Sequence, residues 1–111
     1  MANYYSDHPE FDFYLNHPEM KRVVELKERN FADKDKYEDA PVDYEDAIEN
    51  YKRVLDITGD IAANILEPNS EAVDLEGPHL VEGRMHYASK TYENIEATRQ
   101  AGLWGISMPR R

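Results

Sequence analysis

Apolar residues, with Thr58 among them, recur every three or four positions over one long stretch: Tyr44, Ala47, Ile48, Tyr51, Val54, Leu55, Thr58, Ile61, Ala62, Ile65 and Leu66. That period gathers them on one stripe of a helix. Asp43 stands where an N-cap is wanted, and Glu45 and Asp46 fall in the first turn, where the helix dipole favours negative charge. At ~1.5 Å per residue the element is ~35 Å long. Gly59 interrupts it at a cost of about 1 kcal/mol relative to alanine. Pro68 lacks an N–H and clashes with the carbonyl of Asn64, so the helix is expected to kink or stop near Leu66. Ile61 and Leu55 lie at the centre of the stripe and are expected in the core.

The remaining elements are weaker. A helix is expected from Pro18, the favoured first-turn position for proline, with Met20, Val23, Val24 and Leu26 on an apolar side. Residues 30–42 read as an acidic linker, with Ala40-Pro41 barring a right-handed helical conformation at Ala40. Residues 76–87 read as an irregular loop, with a two-strand turn at Glu82-Gly83 as one form it takes. A further helix is expected from a Ser89 cap to Ala101, with Tyr92 and Ile95 inward. Gly102 stands where a left-handed helix stop is wanted, and Leu103 follows as the apolar residue that packs back on the last turn. No internal repeat or low-complexity tract occurs. The division expected is 1–42, an extension with one helix and the acidic linker, and 43–111, a helical unit. The fold class expected is all-α, a small helical bundle.

Composition adds bounds. A chain of 111 residues, 41% hydrophobic and 32% charged, fits one globular domain at most. The absence of Cys removes disulfides, thiolate metal sites and cysteine nucleophiles together. Nothing approaches the ~20 apolar residues of a membrane helix. Met1 to Tyr5 lacks the basic and apolar regions of a signal peptide, so a cytoplasmic location is expected. The net charge of −10 is uneven: residues 1–76 hold 20 acids and 8 Lys plus Arg, and residues 77–111 hold 3 and 5. Such a surface repels nucleic-acid phosphates, and no nucleic-acid partner is expected.

Candidate chemistry is thin. Glu76-Gly77-Pro78-His79 has the Glu-x-x-His spacing of di-iron bundles, but that spacing needs a helix and Gly-Pro forbids one. Asp33-x-Asp35 beside Glu38 and Asp39 suggests calcium, yet Glu38 stands at the sixth position, where glycine is needed, and Tyr44 at the twelfth, where glutamate is needed. His8, His17, His79 and His86 have no serine or carboxylate at a spacing that suggests a triad, though spacing does not exclude pairing in space. Gly102-Leu103-Trp104-Gly105 matches the GXXG loop of RNA-binding KH domains in letters only. No phosphate-cradling glycine loop is present. Catalytic, cofactor-binding and metal-ligating residues are therefore all expected to be none.

The order of several short stretches resembles the N-terminal helical domain of the acyl-CoA dehydrogenase flavoprotein family. They are Ile61-Ala62-Ala63-Asn64-Ile65-Leu66-Glu67-Pro68, then Asp74-Leu75-Glu76-Gly77, then Ser89 to Gly102 with Tyr92, Ile95 and Ala101. Gly102-Leu103-Trp104-Gly105-Ile106-Ser107-Met108-Pro109 then resembles the family's Gly-Leu-x-Gly-Ile-x-x-Pro junction, which runs on into Tyr-Gly-Gly. Tyr5, Asp12-Phe13 and Leu15 resemble an N-terminal extension of some members.

The resemblance implies an enzyme that desaturates an acyl-CoA thioester with FAD, of which residues 43–111 are the leading, truncated part. It implies that the catalytic glutamate and the flavin site lie in a middle β-domain and a C-terminal helical domain outside this chain. No family site residue carries over to a position here, and the chain alone is expected to hold no cofactor and no activity. Partners implied are the rest of the enzyme, acyl-CoA in the parent, and further copies in a homo-oligomer. Rival readings are an acyl-CoA oxidase or other flavoenzyme of the same superfamily, and a non-enzymatic acidic helical module that binds a partner through the Trp104 segment.

Overall fold

A computed structural model describes residues 2–110. The chain is mostly helical: α1 (Glu10–Leu15), α2 (Met20–Lys27), α3 (Tyr44–Ile61), α4 (Glu67–Glu76) and α5 (Ser89–Gln100). One antiparallel hairpin, β1 (His79–Val81) and β2 (Arg84–His86), separates α4 from α5. Helix α1 falls inside the expected extension, just after Pro9, and the sequence pattern did not announce it.

The long stripe forms as its period predicts. Asp43 is the N-cap of α3, and its Oδ1 accepts from the Asp46 N–H at 2.9 Å. Asp46 Oδ2 in turn accepts from the Val42 N–H at 3.1 Å, a reciprocal cap that satisfies two donors at once. The helix does not end near Leu66. It passes through a π-helical turn, Ala62–Leu66, directly into α4, and Pro68 falls in the first turn of α4. The wider π turn shifts the hydrogen-bond ladder where proline has no N–H to give and its ring would crowd the Asn64 carbonyl. Helix α2 begins at Met20, two residues after Pro18.

The loop expected at residues 76–87 contains the hairpin. Glu82 and Gly83 both have positive φ, 52° and 79°, the conformation of a two-residue turn whose twist matches its strands. Both strands are exposed throughout. Helix α5 is not capped by Ser89. Its N-cap is Ala88, and Ser89 lies inside the first turn. The Glu76 carboxylate caps it instead, accepting from the Ser89 N–H at 2.7 Å and the Ser89 hydroxyl at 2.9 Å. Tyr92 and Ile95 are 49% and 37% exposed rather than inward. Gly102 stops α5 with φ 74° as expected, and a 3-10 turn, Leu103–Gly105, follows.

The buried apolar residues among those described are mostly small: Val24, Ala40, Ala47, Ile61, Ala63 and Ala88. Ile61 is buried as expected, and Leu55 is half-buried. The radius of gyration is 17.9 Å, with extents of 52 × 32 × 20 Å. A compact domain of roughly this length has a radius of gyration near 13 Å. No described helix is long and apolar enough to cross a membrane.

Candidate functional site

The most heavily built polar site lies where α2 ends. After α2 the backbone turns through three consecutive left-handed residues, Arg29, Asn30 and Phe31, with φ of 52°, 56° and 62°. Such residues cost about 1–2 kcal/mol each outside glycine. The turn is held by the Asn30 N–H donating to the Glu25 carbonyl and the Phe31 N–H donating to the Glu28 carbonyl. It brings Asp33 back beside Glu28. Both carboxylates are buried, at 8% and 3% exposure.

Two cations and a phenol compensate them. Arg110 donates through Nη1 to Glu28 Oε2 at 2.8 Å and through Nη2 to Oε1 at 3.4 Å. The Tyr51 hydroxyl of α3 donates to Glu28 Oε1 at 2.5 Å. Arg110 Nη1 also lies 3.6 Å from Asp33 Oδ2, and Arg29 donates to Asp33 Oδ1 at 2.7 Å. Burial pushes the Glu28 carboxyl up, but the hydrogen bonds from Arg110 and Tyr51 outweigh it and hold the group below the usual range. Burial, then the hydrogen bond to Glu28, pushes the Tyr51 phenol well up. Glu28 is thus a fixed carboxylate with both oxygens engaged. Three hydrogen bonds converge on it, two of them from Arg110, and they anchor the Arg110 segment.

That network forms the polar floor of an open cavity of about 1080 Å³ between α2, α3 and residues 105–110. Its apolar lining includes Val24, Val54, Leu55, Ile106 and Met108. The acidic linker is therefore not simply solvated. Asp33 is buried in this network, while Asp35, Glu38 and Asp39 are exposed. The calcium-like pattern does not assemble, because its first carboxylate is taken by Arg29 and Arg110.

A second constructed contact fixes the N-terminus on α3. The Asn3 amide donates to the Asp56 carbonyl at 3.1 Å, the Tyr4 N–H donates to the Gly59 carbonyl at 3.1 Å, and Asn64 donates to the Ala2 carbonyl at 2.9 Å. Asn3 Oδ1 accepts from the Tyr5 and Ser6 N–H groups, closing a local turn. Gly59 is buried under this strap. The glycine that costs the helix stability in isolation is the residue that lets the strap approach. Tyr4 donates to Glu67 and Tyr5 to Asp12. Burial and the Asp12 hydrogen bond push the Tyr5 phenol up to about 12.

The histidines separate into two kinds. His8 Nδ1 lies 2.8 Å from the Tyr4 carbonyl, and His17 Nδ1 accepts from the Glu19 N–H at 3.1 Å, so both serve local turns. His79 and His86 are cross-strand partners on the hairpin, their rings stacked with centroids 6.0 Å apart. Glu76 and His79 do not share a helix face. Gly77, at φ 62°, ends α4 between them. No group of three or more His, Asp or Glu able to hold a metal occurs among the described residues.

The apolar residues after Gly102 divide as well. Leu103 is half-buried, and the Trp104 indole donates to Thr98 at 3.1 Å. Trp104, Ile106 and Met108 nevertheless remain 60%, 65% and 69% exposed. Comparison with protein-family models, curated proteins and solved structures returns no match to this chain.

Proposed function

We propose that this chain is the leading helical part of an acyl-CoA dehydrogenase-like flavoenzyme, whose parent removes an α-proton from an acyl-CoA thioester and passes a β-hydride to FAD. The observation that carries the reading is apolar surface left uncovered. Leu75, Leu80, Leu26 and Met108 are 78%, 75%, 71% and 69% exposed, while the core is built largely of alanine. In this reading those side chains are covered by other protein. The resemblance over Ile61 to Pro109 supports, as the protein this chain meets, the middle β-domain and C-terminal helical domain of the resembled family. In this reading the helices complete a bundle with those domains, form one wall beside the acyl site, and help hold subunits of a cytoplasmic homo-oligomer together. FAD and the catalytic base belong to the parts outside this chain, and the flavin supplies the redox chemistry.

The test is expression of the whole reading frame that contains this chain, followed by anaerobic addition of acyl-CoA thioesters of graded length. A yellow protein whose flavin band bleaches with one of them supports the reading. A product without flavin contradicts it and favours an acidic interaction module. A flavin that bleaches and reoxidises rapidly in air assigns the oxidase branch of the same superfamily.

A further inference from the structure

We propose that His79 and His86 form a two-imidazole site for a divalent transition-metal ion that clips the hairpin. The inference stands on the register. The Glu82-Gly83 turn pairs Val81 with Arg84, Leu80 with Met85 and His79 with His86. Directly opposed residues of an antiparallel pair place their side chains on one face, close enough to act together. The two rings are stacked, 21° from parallel, with centroids 6.0 Å apart, and both residues are exposed. A metal ion bound at about 2.0–2.1 Å from one nitrogen of each ring needs those nitrogens roughly 3 Å apart. In the stacked arrangement the lone pairs lie in two nearly parallel ring planes, so binding requires both exposed side chains to rotate until one nitrogen of each converges on the ion. His79 Nδ1 faces the Gly77 carbonyl at 3.5 Å. A proton held on that nitrogen leaves Nε2 as the lone-pair donor.

The hairpin has a use for such a clip. All six strand residues are exposed, so no core supports them. Two-stranded hairpins without a buried face are marginal in water. Glu82 adds the cost of a non-glycine residue at φ 52°. A ligand that binds only the paired strands stabilises them by linkage.

The donor set selects the ion. Two neutral imidazoles with no carboxylate disfavour Ca²⁺ and Mg²⁺, which take oxygen ligands. They suit Cu²⁺, Ni²⁺ and Zn²⁺, with Cu²⁺ bound most tightly. No third His, Asp or Glu joins the pair among the described residues. The remaining coordination positions therefore fall to water or to a small ligand from solution.

The experiment is titration of the whole chain with Cu²⁺ at neutral pH, followed by electron paramagnetic resonance and by the ring-proton NMR signals of the four histidines. One equivalent should bind with two nitrogen ligands from imidazole. The His79 and His86 signals should broaden first, before those of His8 and His17. His79→Ala and His86→Ala should each weaken binding by about tenfold or more, since loss of a direct ligand costs at least what loss of an outer-shell partner does. His8→Ala and His17→Ala should leave it unchanged. Broadening that starts at His8, His17 or the amino terminus would overturn the assignment. So would unchanged affinity in both hairpin variants. The NMR readout needs no substitution, so a variant whose hairpin melts does not decide the outcome.

Discussion

Asn3 and Gly59 occupy one space between them. A Cβ built on Gly59 would fall 2.3 Å from Asn3 Oδ1, 2.6 Å from the Tyr5 backbone nitrogen and 2.9 Å from the Tyr5 Cβ. The side-chain oxygen has room to move, but the Tyr5 backbone nitrogen does not move without lifting the strap. Gly59→Ala is therefore expected to destabilise the full chain, although alanine favours the helix itself by about 1 kcal/mol. In a chain lacking residues 1–8 the same change should stabilise by about that amount. Urea denaturation of the four proteins checks the reversal of sign. Stabilisation in both backgrounds would mean the strap does not sit on Gly59.

The Glu28 network predicts both a mutational and a pH effect. Arg110→Ala takes two donors and their positive charge from a buried carboxylate and should cost about 1–3 kcal/mol. Glu28→Gln keeps an acceptor for Tyr51 and should cost less. The Glu28 carboxyl is held below its usual value in the folded chain. Its contribution is therefore fully present above the ordinary carboxylate pKa and is lost as pH falls through the lowered one. Stability curves of the parent and Glu28→Gln proteins should converge in acid. Curves that stay parallel down to the acid limb would remove Glu28 from that role.

Base titration isolates the tyrosines. Tyr5 is raised to about 12 and Tyr51 is raised as well. A phenol raised in the folded state stabilises fully below its unfolded pKa, near 10, and loses that contribution as pH rises through the folded value. Ultraviolet titration should show a late-ionising fraction that contains Tyr5 and Tyr51, and Tyr4, which its hydrogen bond to Glu67 also raises. Tyr5→Phe and Tyr51→Phe should each shrink that fraction. Ionisation of all phenols in one step near 10 would contradict the two hydrogen bonds.

What was legible in the sequence was local. Asp43 and Gly102 could be read as caps because a cap needs only its own helix end. The Tyr44 to Leu66 stripe could be read because burial against anything demands that period. Gly59 could be seen as a cost but not explained, since its reason, Asn3, lies at the far end of the chain. The Arg110–Glu28 pair spans 82 residues and leaves no periodic trace. The Ser89 reading failed because α5 starts one residue earlier, at an Ala88 cap, and the Ser89 hydroxyl donates to Glu76, 13 residues before it. The His79–His86 pair was within reach: a two-residue turn at Glu82-Gly83 fixes that register by counting outward.

The exposed apolar residues after Gly102 predict association. Trp104, Ile106 and Met108 stay exposed even with Arg110 anchored. The net charge of −10 opposes self-association at low salt, and screening shortens its reach to about 8 Å near physiological ionic strength. Sedimentation should show a monomer at low salt and larger species as salt rises. A variant with Trp104, Ile106 and Met108 all changed to Ser, keeping Arg110, should remain monomeric throughout. Equal behaviour of the two proteins would place the apolar contact elsewhere.

The proposal that this chain is the leading part of a larger flavoenzyme is tested most directly by the nucleotide sequence after the Arg111 codon. The account predicts an open frame that begins with Tyr-Gly-Gly and continues through the middle β-domain and the C-terminal helical domain. A stop codon at that position would contradict it.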